Sequence, residues 1–336
     1  MKPEAISYFV CPECHGDLKL HAQESGEIID GDLECLACAL RYPIKRGVPR
    51  FAGENEAYTD TFGRQWNRWD RTQHDSLNGT SIYRDRMKRY TDWTPESFTD
   101  QVVVDAGCGA GAYLDVVERN ARAVIGFDLS SAIDAAYRLH GARPNVHLAQ
   151  GDIFKPPVRP AIADRLYTFG VVQHTPDPER AFRSLMPLVR PGGEIGVWVY
   201  RRRLIPQPVY LMRMFTKRLQ EPQATQFIEW FVPRALRLSG LLGRIPKIGS
   251  KLRRLVPVAD YRERLRSLTP AQQLEWALMD THDGLITRYT FPQRWSDLKR
   301  WMDGCVDIRK PDQRETAAVG RVPSPPMPPS ANAAGS

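Results

Sequence analysis

Between residues 101 and 200, short apolar runs alternate with amphipathic stretches. The runs at 102–105, 123–128, 146–149, 165–169 and 194–200 are rich in Val, Ile and Phe. Short apolar runs bounded by turn residues predict strands buried on both faces. The stretches 111–120, 130–140 and 177–189 carry apolar residues at helical spacing and predict helices between those strands. Strands alternating with helices predict an α/β fold with a parallel, helix-covered sheet. Upstream, Phe62, Trp66 and Trp69 stand at i, i+4 and i+7, one face of a helix. Downstream, residues 201–290 are helix-like, with breaks expected at Pro206, Pro222, Pro233, Pro246, Pro257 and Pro270. A helix is expected at 292–302 and two last strands at 306–308 and 316–322. The organisation this predicts is a Cys-rich unit (1–52), a helical lid or linker (53–100), a core (101–200), a basic helical insertion (201–290), the completion of the core sheet (291–322) and a disordered Pro/Ala/Ser-rich tail (323–336).

Composition narrows the class. A chain of 336 residues that is 42% hydrophobic can bury a sizeable core, which excludes wholesale disorder. No apolar run approaches the length of a spanning helix. The first residues, MKPEAISYFVCPEC, lack the apolar run of a signal peptide, so a cytosolic chain is expected. The net charge of +8 is unevenly spread, with sixteen Lys/Arg against four Asp/Glu in residues 201–270. A basic block on a near-neutral body points to an anionic partner: nucleic acid, a phosphorylated or carboxylated small molecule, or an anionic membrane.

Six cysteines in a cytosolic chain suggest metal or free thiols rather than disulfides. Cys11 and Cys14 form one C-x2-C pair, and Cys35 and Cys38 form another twenty residues later. Each pair can clamp one edge of a tetrahedral ion, and four thiolates leave no open position, which suits structural Zn²⁺. His15 is then a surface residue, and Cys108 and Cys305 are expected to be buried thiols. The segment FVCPECHGDL…LECLACALRYPIKRGVPRF resembles the small zinc ribbons that partner tRNA methyltransferases. The resemblance implies a docking or stabilising role for residues 9–51.

The first strand of the core runs into Asp105-Ala-Gly107-Cys-Gly109-Ala-Gly111. Glycines there allow a tight turn and close approach of a ligand to the backbone. The spacing is G-x-G-x-G, unlike the G-x-G-x-x-G of dinucleotide folds. The second strand ends at Asp128, where a carboxylate can accept from ribose hydroxyls. Asp152, after the third strand, can meet an adenine amino group. The pieces VVVDAGCGAGAYL, VIGFDLS, LAQGDIF, FGVVQHTPDPERAF and LVRPGGEI resemble, in this order, the class I S-adenosylmethionine-dependent methyltransferases of the small-molecule branch. The resemblance implies a Rossmann-like seven-stranded sheet with its last strand antiparallel. It also implies cofactor contacts at Asp105, Gly107, Gly109, Gly111, Asp128, Leu129, Asp152, Ile153 and Phe169. One departure is Gln173-His174, where many relatives carry His-His.

Methyl transfer to a hydroxyl needs a base, and candidates belong beyond the fourth strand or in the insertion. His174 is the first candidate, against the alternative of a His packed on the cofactor or capping the next turn. His282, Asp283 and Tyr289, in a polar run before the helix at 292, either line an acceptor pocket or anchor the insertion. The aromatic helix at Phe62–Trp66–Trp69 is either a lid over the cofactor or ordinary core. The insertion is expected to be a cap over the acceptor, with contact to an anionic membrane as the alternative. The expected activity is methylation of an oxygen, nitrogen or carbon of a small or lipid-linked metabolite. Its rivals are an RNA methyltransferase and a non-catalytic scaffold that docks a partner through the ribbon. Against RNA, the most charged part, residues 243–254, has no aromatic residue to stack on a base.

Overall fold

The computed structural model describes residues 1–23, 26–52, 60–203, 208–220, 222–263 and 265–324. Four short strands open the chain: β1 (Leu18–His21), β2 (Gly31–Cys35), β3 (Arg41–Lys45) and β4 (Val48–Pro49), paired antiparallel in that order. The alternation in β2 and β3 turns Leu33, Tyr42 and Ile44 inward, where Ile28 joins them. This ribbon continues directly onto the core. Phe51 donates its backbone N–H to Gln150 O at 2.9 Å, and Val10 donates to Pro157 O at 3.0 Å. Arg50 reaches the Asp134 carboxylate at 2.6 Å.

Three helices follow, α1 (Asp60–Arg68), α2 (Asp75–Asn78) and α3 (Ile82–Thr91). The core then runs β5 (Val102–Ala106), α4 (Leu114–Val117), β6 (Ala123–Asp128), α5 (Ala132–His140), β7 (Val146–Gln150), β8 (Ala163–Phe169), α6 (Pro178–Arg183) and β9 (Val189–Trp198). The insertion is α7 (Pro208–Thr216), α8 (Gln223–Gly243), α9 (Gly249–Arg253) and α10 (Pro270–Ile286). The chain closes with α11 (Trp295–Trp301), β10 (Val306–Arg309) and β11 (Ala317–Arg321).

The large sheet has seven strands in the order β10-β11-β9-β8-β5-β6-β7. β11 is antiparallel to both neighbours, and the pairs from β9 to β7 are parallel. This is the Rossmann-like methyltransferase sheet. Strand progression reverses at β5, which pairs with both β6 and β8, so the ligand crevice belongs at the carboxyl ends of these strands. One face packs Val104, Ile125 and Leu166 against Phe182 and Trp301, and the ribbon's Phe9 and Phe51 join the same cluster. The other face packs Val103, Tyr167 and Phe169 with Tyr90 and the insertion's Trp276. A third cluster, including Ile228, Val232, Ala277 and Leu285, ties α8 to α10.

Several local expectations are corrected. The helix expected at 111–120 shrinks to α4, because Gly111 still holds a left-handed φ of +93° and the turn cannot yet close. The helix expected at 177–189 ends at Arg183, and Pro187 sits in a separate 3-10 turn. The strand expected at 194–200 starts earlier, at Val189, and takes in Pro191-Gly192-Gly193 with a register shift opposite Ala163–Arg165. Pro233 does not break the insertion: it lies within α8, where it removes one ladder bond. Pro222 and Pro270 do sit at helix starts, while Pro206 lies outside the described residues. The polar run 280–286 is helical: a Thr269–Gln272 capping box starts α10, and Trp276, Met279, His282 and Ile286 form its buried face. Cys305 is only half-buried, whereas Cys108 is buried. Of the expected tail at 323–336, residues 325–336 lie outside the described residues, as do residues 53–59 of the expected lid or linker at 53–100.

Candidate functional site

The four ribbon thiols come together first. Cys11 and Cys14 sit on the turn before β1, Cys35 ends β2, and Cys38 lies in the turn into β3. Their sulfurs all lie within 4.8 Å of one another. An all-thiolate set with no carboxylate or imidazole is the donor chemistry of closed, structural zinc, and His15 is exposed and outside it.

At the carboxyl edge of the large sheet, the loop after β5 turns through Gly107 at φ +83°. A Cβ there would stand 2.4 Å from a Val171 methyl, and one on Gly111 would stand 2.6 Å from the His140 ring. Neither position tolerates a side chain, so the backbone itself forms the cradle. Asp105 is buried beneath the loop, in register with Tyr167 on β8. Burial drives its carboxyl well above the ordinary range, and the nearby Tyr167 hydroxyl opposes this only in part. Asp128 at the end of β6 accepts from Gly109 N–H at 3.0 Å, from Ser130 N–H at 2.8 Å and from Ser130 Oγ at 2.6 Å. A carboxylate offers about four acceptor positions. Asp128 can therefore take one further hydroxyl as it stands, and a second only by releasing Ser130 or Gly109. Leu129 beside it is half-buried, its carbonyl accepting from Gln150 Nε2 at 2.9 Å.

After β7, Asp152 accepts from Phe154 N–H at 2.9 Å, and burial raises its pKa. Ile153 is buried next to it. Phe169 at the end of β8 stacks on Tyr167 with ring centroids 5.0 Å apart. Helix α1 crosses above this row, with the Trp66 ring 3.4 Å from where a Gly109 Cβ would be. A left-handed glycine turn, a residual acceptor on Asp128 and an aromatic ring beside Gly109 fit an adenosine-bearing cofactor.

The other half of the edge is built from the ends of β8 and β9 and from the segment after α10. Phe291 N–H donates to Gln173 O at 2.9 Å, and Gln293 N–H to Tyr200 O at 2.8 Å, so this segment laces both strand ends. His174 is buried here, with Nδ1 2.9 Å from the Tyr289 carbonyl. A carbonyl only accepts, so Nδ1 carries the proton and Nε2 holds a lone pair. That Nε2 is buried with no hydrogen-bond partner among the described residues, as are the Gln173 amide atoms and Asp283 Oδ1. Burial pushes the His174 pKa below its usual value, against an opposing pull from Asp283. Its ring meets Phe62 and Tyr200 edge-on, each at 5.2 Å. Helix α1 thus touches both halves, Phe62 on His174 and Trp66 on the glycine loop, while Trp69 is buried just beyond it.

The other two candidates are engaged differently. His282 lies on the buried face of α10 and donates from Nδ1 to Gln65 Oε1 at 2.8 Å. Tyr289 meets His174 through its backbone carbonyl. Sequence reasoning missed Tyr200, whose hydroxyl donates to Asp283 Oδ2 at 2.9 Å, and Gln65, which bonds both His282 and the Met279 carbonyl. It also missed the buried trio under the glycine loop: His74 contacts His140 at 3.1 Å, and His140 contacts Glu118 at 2.7 Å. Only the Tyr167/Phe169 alternation on β8 carried a readable signal, because period two sends both rings to the Asp105 side.

Comparison with known proteins decides the class of the core. Residues 104–197 match the family model described as methyltransferase domain. Residues 104–197 are a methyltransferase domain. The sheet order and the glycine turn agree with the class I, S-adenosylmethionine-dependent kind. Residues 9–47 match the Trm112p-like protein family, in agreement with the four-thiolate zinc set. The methyltransferase domain is similar to the ubiquinone biosynthesis O-methyltransferase of Sodalis glossinidius (strain morsitans), with 32% identity over 96 residues, 28% of this chain and 39% of that protein. It is also similar to the enzyme of the same name from Cupriavidus pinatubonensis, at 32% identity over 33% of this chain and 44% of that one. The chain thus spans less than half the length of these curated relatives. Among solved structures, the complex of the Haloferax volcanii Trm112 methyltransferase activator with a methyltransferase matches at 18% identity and a TM-score of 0.35, over 43% of this chain and 62% of that one.

Proposed function

We propose that this chain is an S-adenosylmethionine-dependent methyltransferase that methylates a hydroxyl oxygen of a small, largely apolar acceptor, with His174 as the general base. The observation that carries the reading is His174 itself: buried, its pKa pushed below the usual imidazole value by that burial, with Nδ1–H on a carbonyl and Nε2 without a hydrogen-bond partner among the described residues. The cofactor, when bound, supplies an electrophilic sulfonium methyl.

Asp128 and Asp152 hold the adenosine end, and the glycine turn lets it approach the backbone. Asp105 supports the turn from below. Phe62 and Tyr200 flank the imidazole and present apolar walls suited to a flat or hydrocarbon acceptor. Nε2 would take the proton of the acceptor O–H, leaving that oxygen free to receive the methyl group that the bound cofactor would supply. The Tyr289 carbonyl steadies the resulting imidazolium through Nδ1–H, and Asp283 lies close enough to favour that charge. Trp66 and α1 exclude water from above. The names of the curated relatives agree with oxygen as the methylated atom, and the ribbon serves as a zinc-held support for the sheet edge.

The test is a labelled-methyl assay of the zinc-loaded chain against a panel of hydroxylated aromatic and isoprenoid acceptors. Transfer to oxygen that collapses in His174→Ala with cofactor affinity retained supports the reading. Transfer to nitrogen or carbon indifferent to His174 would replace it.

A further inference from the structure

Helix α8 is built the wrong way round for a helix facing water. Its inner side packs Ile228 and Val232 into the third cluster with α10, and Ala235 is also buried. Its outer side is also apolar. Trp230, Leu238, Leu241, Ile245 and Ile248 are all exposed, Trp230 at 56% and Leu241 at 62%. Trp230, Leu238 and Leu241 recur at the spacing of one helical stripe, and Ile245 and Ile248 are exposed in the turn that follows α8. The gaps in the stripe are filled by Arg234, Arg237, Arg244, Lys247 and Lys251, every one exposed. From Trp230 to Ala259 the chain contains no Asp or Glu. Arg234 lies over the Trp230 ring at 4.8 Å, which pairs a cation with an interfacial aromatic. Helix α7, which also packs on α10, repeats the arrangement, with Phe215 77% exposed and flanked by Met214, Lys217 and Arg218.

A solvated face would mix both charge signs and hide large side chains. A protein partner of ordinary composition does not call for thirty residues free of acid. A single-stranded RNA would call for stacked aromatic rings, and this stripe is mostly Leu and Ile. Exposed aliphatic side chains with cations on both flanks match one surface, a bilayer with anionic headgroups. There the apolar residues enter the acyl boundary and the cations meet phosphates. We infer that the outer faces of α8 and α7 form a peripheral docking surface for an anionic lipid bilayer.

The inference deepens the proposed function, on which it rests for one consequence alone: the acceptor is drawn from the bilayer. Both docking helices pack on α10, which carries Asp283 and leads directly to the Tyr289 carbonyl on His174.

The experiment is co-sedimentation of the zinc-loaded chain with vesicles of phosphatidylcholine alone or mixed with phosphatidylglycerol, at low and high salt. Cofactor titration is run on the same preparation. The expected result is binding to the mixed vesicles only, weakened by salt. Leu238→Ser/Leu241→Ser and Arg234→Gln/Arg237→Gln change exposed groups and should leave the melt unchanged. Each pair should lower partitioning by about tenfold or more. No binding to anionic vesicles overturns the inference, and so does binding unaffected by the leucine pair. Displacement from vesicles by bulk RNA at matched phosphate would reassign the face to nucleic acid. Vesicle binding without any cofactor binding would sink the methyltransferase reading and leave the docking surface standing.

Discussion

His174→Phe separates chemistry from architecture. Phenylalanine keeps an aromatic ring between Phe62 and Tyr200, one ring atom larger, and removes both ring nitrogens. The Tyr289 carbonyl loses its Nδ1–H donor but keeps the Thr290 hydroxyl at 2.6 Å, so the stability cost should be about 1 kcal/mol, the low end for a partly satisfied buried acceptor. Removal of a positioned general base costs about 10² to 10⁴ in rate, or about 3–5 kcal/mol of barrier. Cofactor affinity should change by less than about twofold, because no cofactor-half residue touches the ring. Single-turnover transfer to a hydroxylated acceptor, with calorimetric cofactor binding on the same protein, reads both quantities. The wild-type rate should also rise with pH through a pKa below 6.5 and stay flat near neutrality, since burial lowers the His174 value and only the neutral ring accepts a proton. The variant should lose that acidic limb. A variant rate within about threefold of wild type, or an unchanged limb, would refute His174 as base.

Chelation, or Cys35→Ser, should unfold the ribbon and lower the melting temperature of the whole chain, read by calorimetry with zinc add-back, because the ribbon's Phe9 and Phe51 share a core with the sheet. Gly111→Ala should destabilise by about 1–3 kcal/mol and abolish cofactor binding, since the residue sits at φ +93° with the His140 ring in the way, and equilibrium unfolding with cofactor titration checks both. Acid should weaken the fold through His74 and His147, both held down to about 4 by burial while the unfolded chain titrates near 6.5. Between those values the unfolded state binds more protons, so this stability is complete above pH 6.5 and is lost as pH falls toward 4, with a slope of up to about 2.7 kcal/mol per pH unit for the two groups. Asp280, raised to about 6, works in the opposite direction below pH 6, so the clean readout is the difference in urea stability between wild type and His147→Phe.

The sheet was legible because its strands are short, apolar and separated by turn residues, and because Asp105, Gly107, Asp128 and Asp152 each fall at a strand end. The ribbon was legible from four cysteines alone. What the one-dimensional pattern could not carry were contacts between distant segments. Gln65 meets His282 across 217 residues, and His174 meets Tyr289 across 115. Nothing local marks these pairs. The polar run at 280–286 misled because Asp, Thr and His are poor helix formers, yet Trp276, Met279 and Leu285 bury one face and override propensity. Pro233 misled for a related reason, since a helix held on one side by α10 tolerates one missing ladder bond.

The attachment of the ribbon to β7 also bears on how the chain avoids self-association. β7 is the outermost parallel strand, and an edge of that kind offers a row of free N–H and C=O groups to any passing strand. Here Phe51 and Arg50 occupy that row at Gln150, and the Tyr8 ring stacks on His147 at 4.8 Å to cover the strand beside it. Metal loading is therefore a guard against polymerisation as well as a source of fold stability. A zinc-starved chain should be lost first to insoluble aggregate.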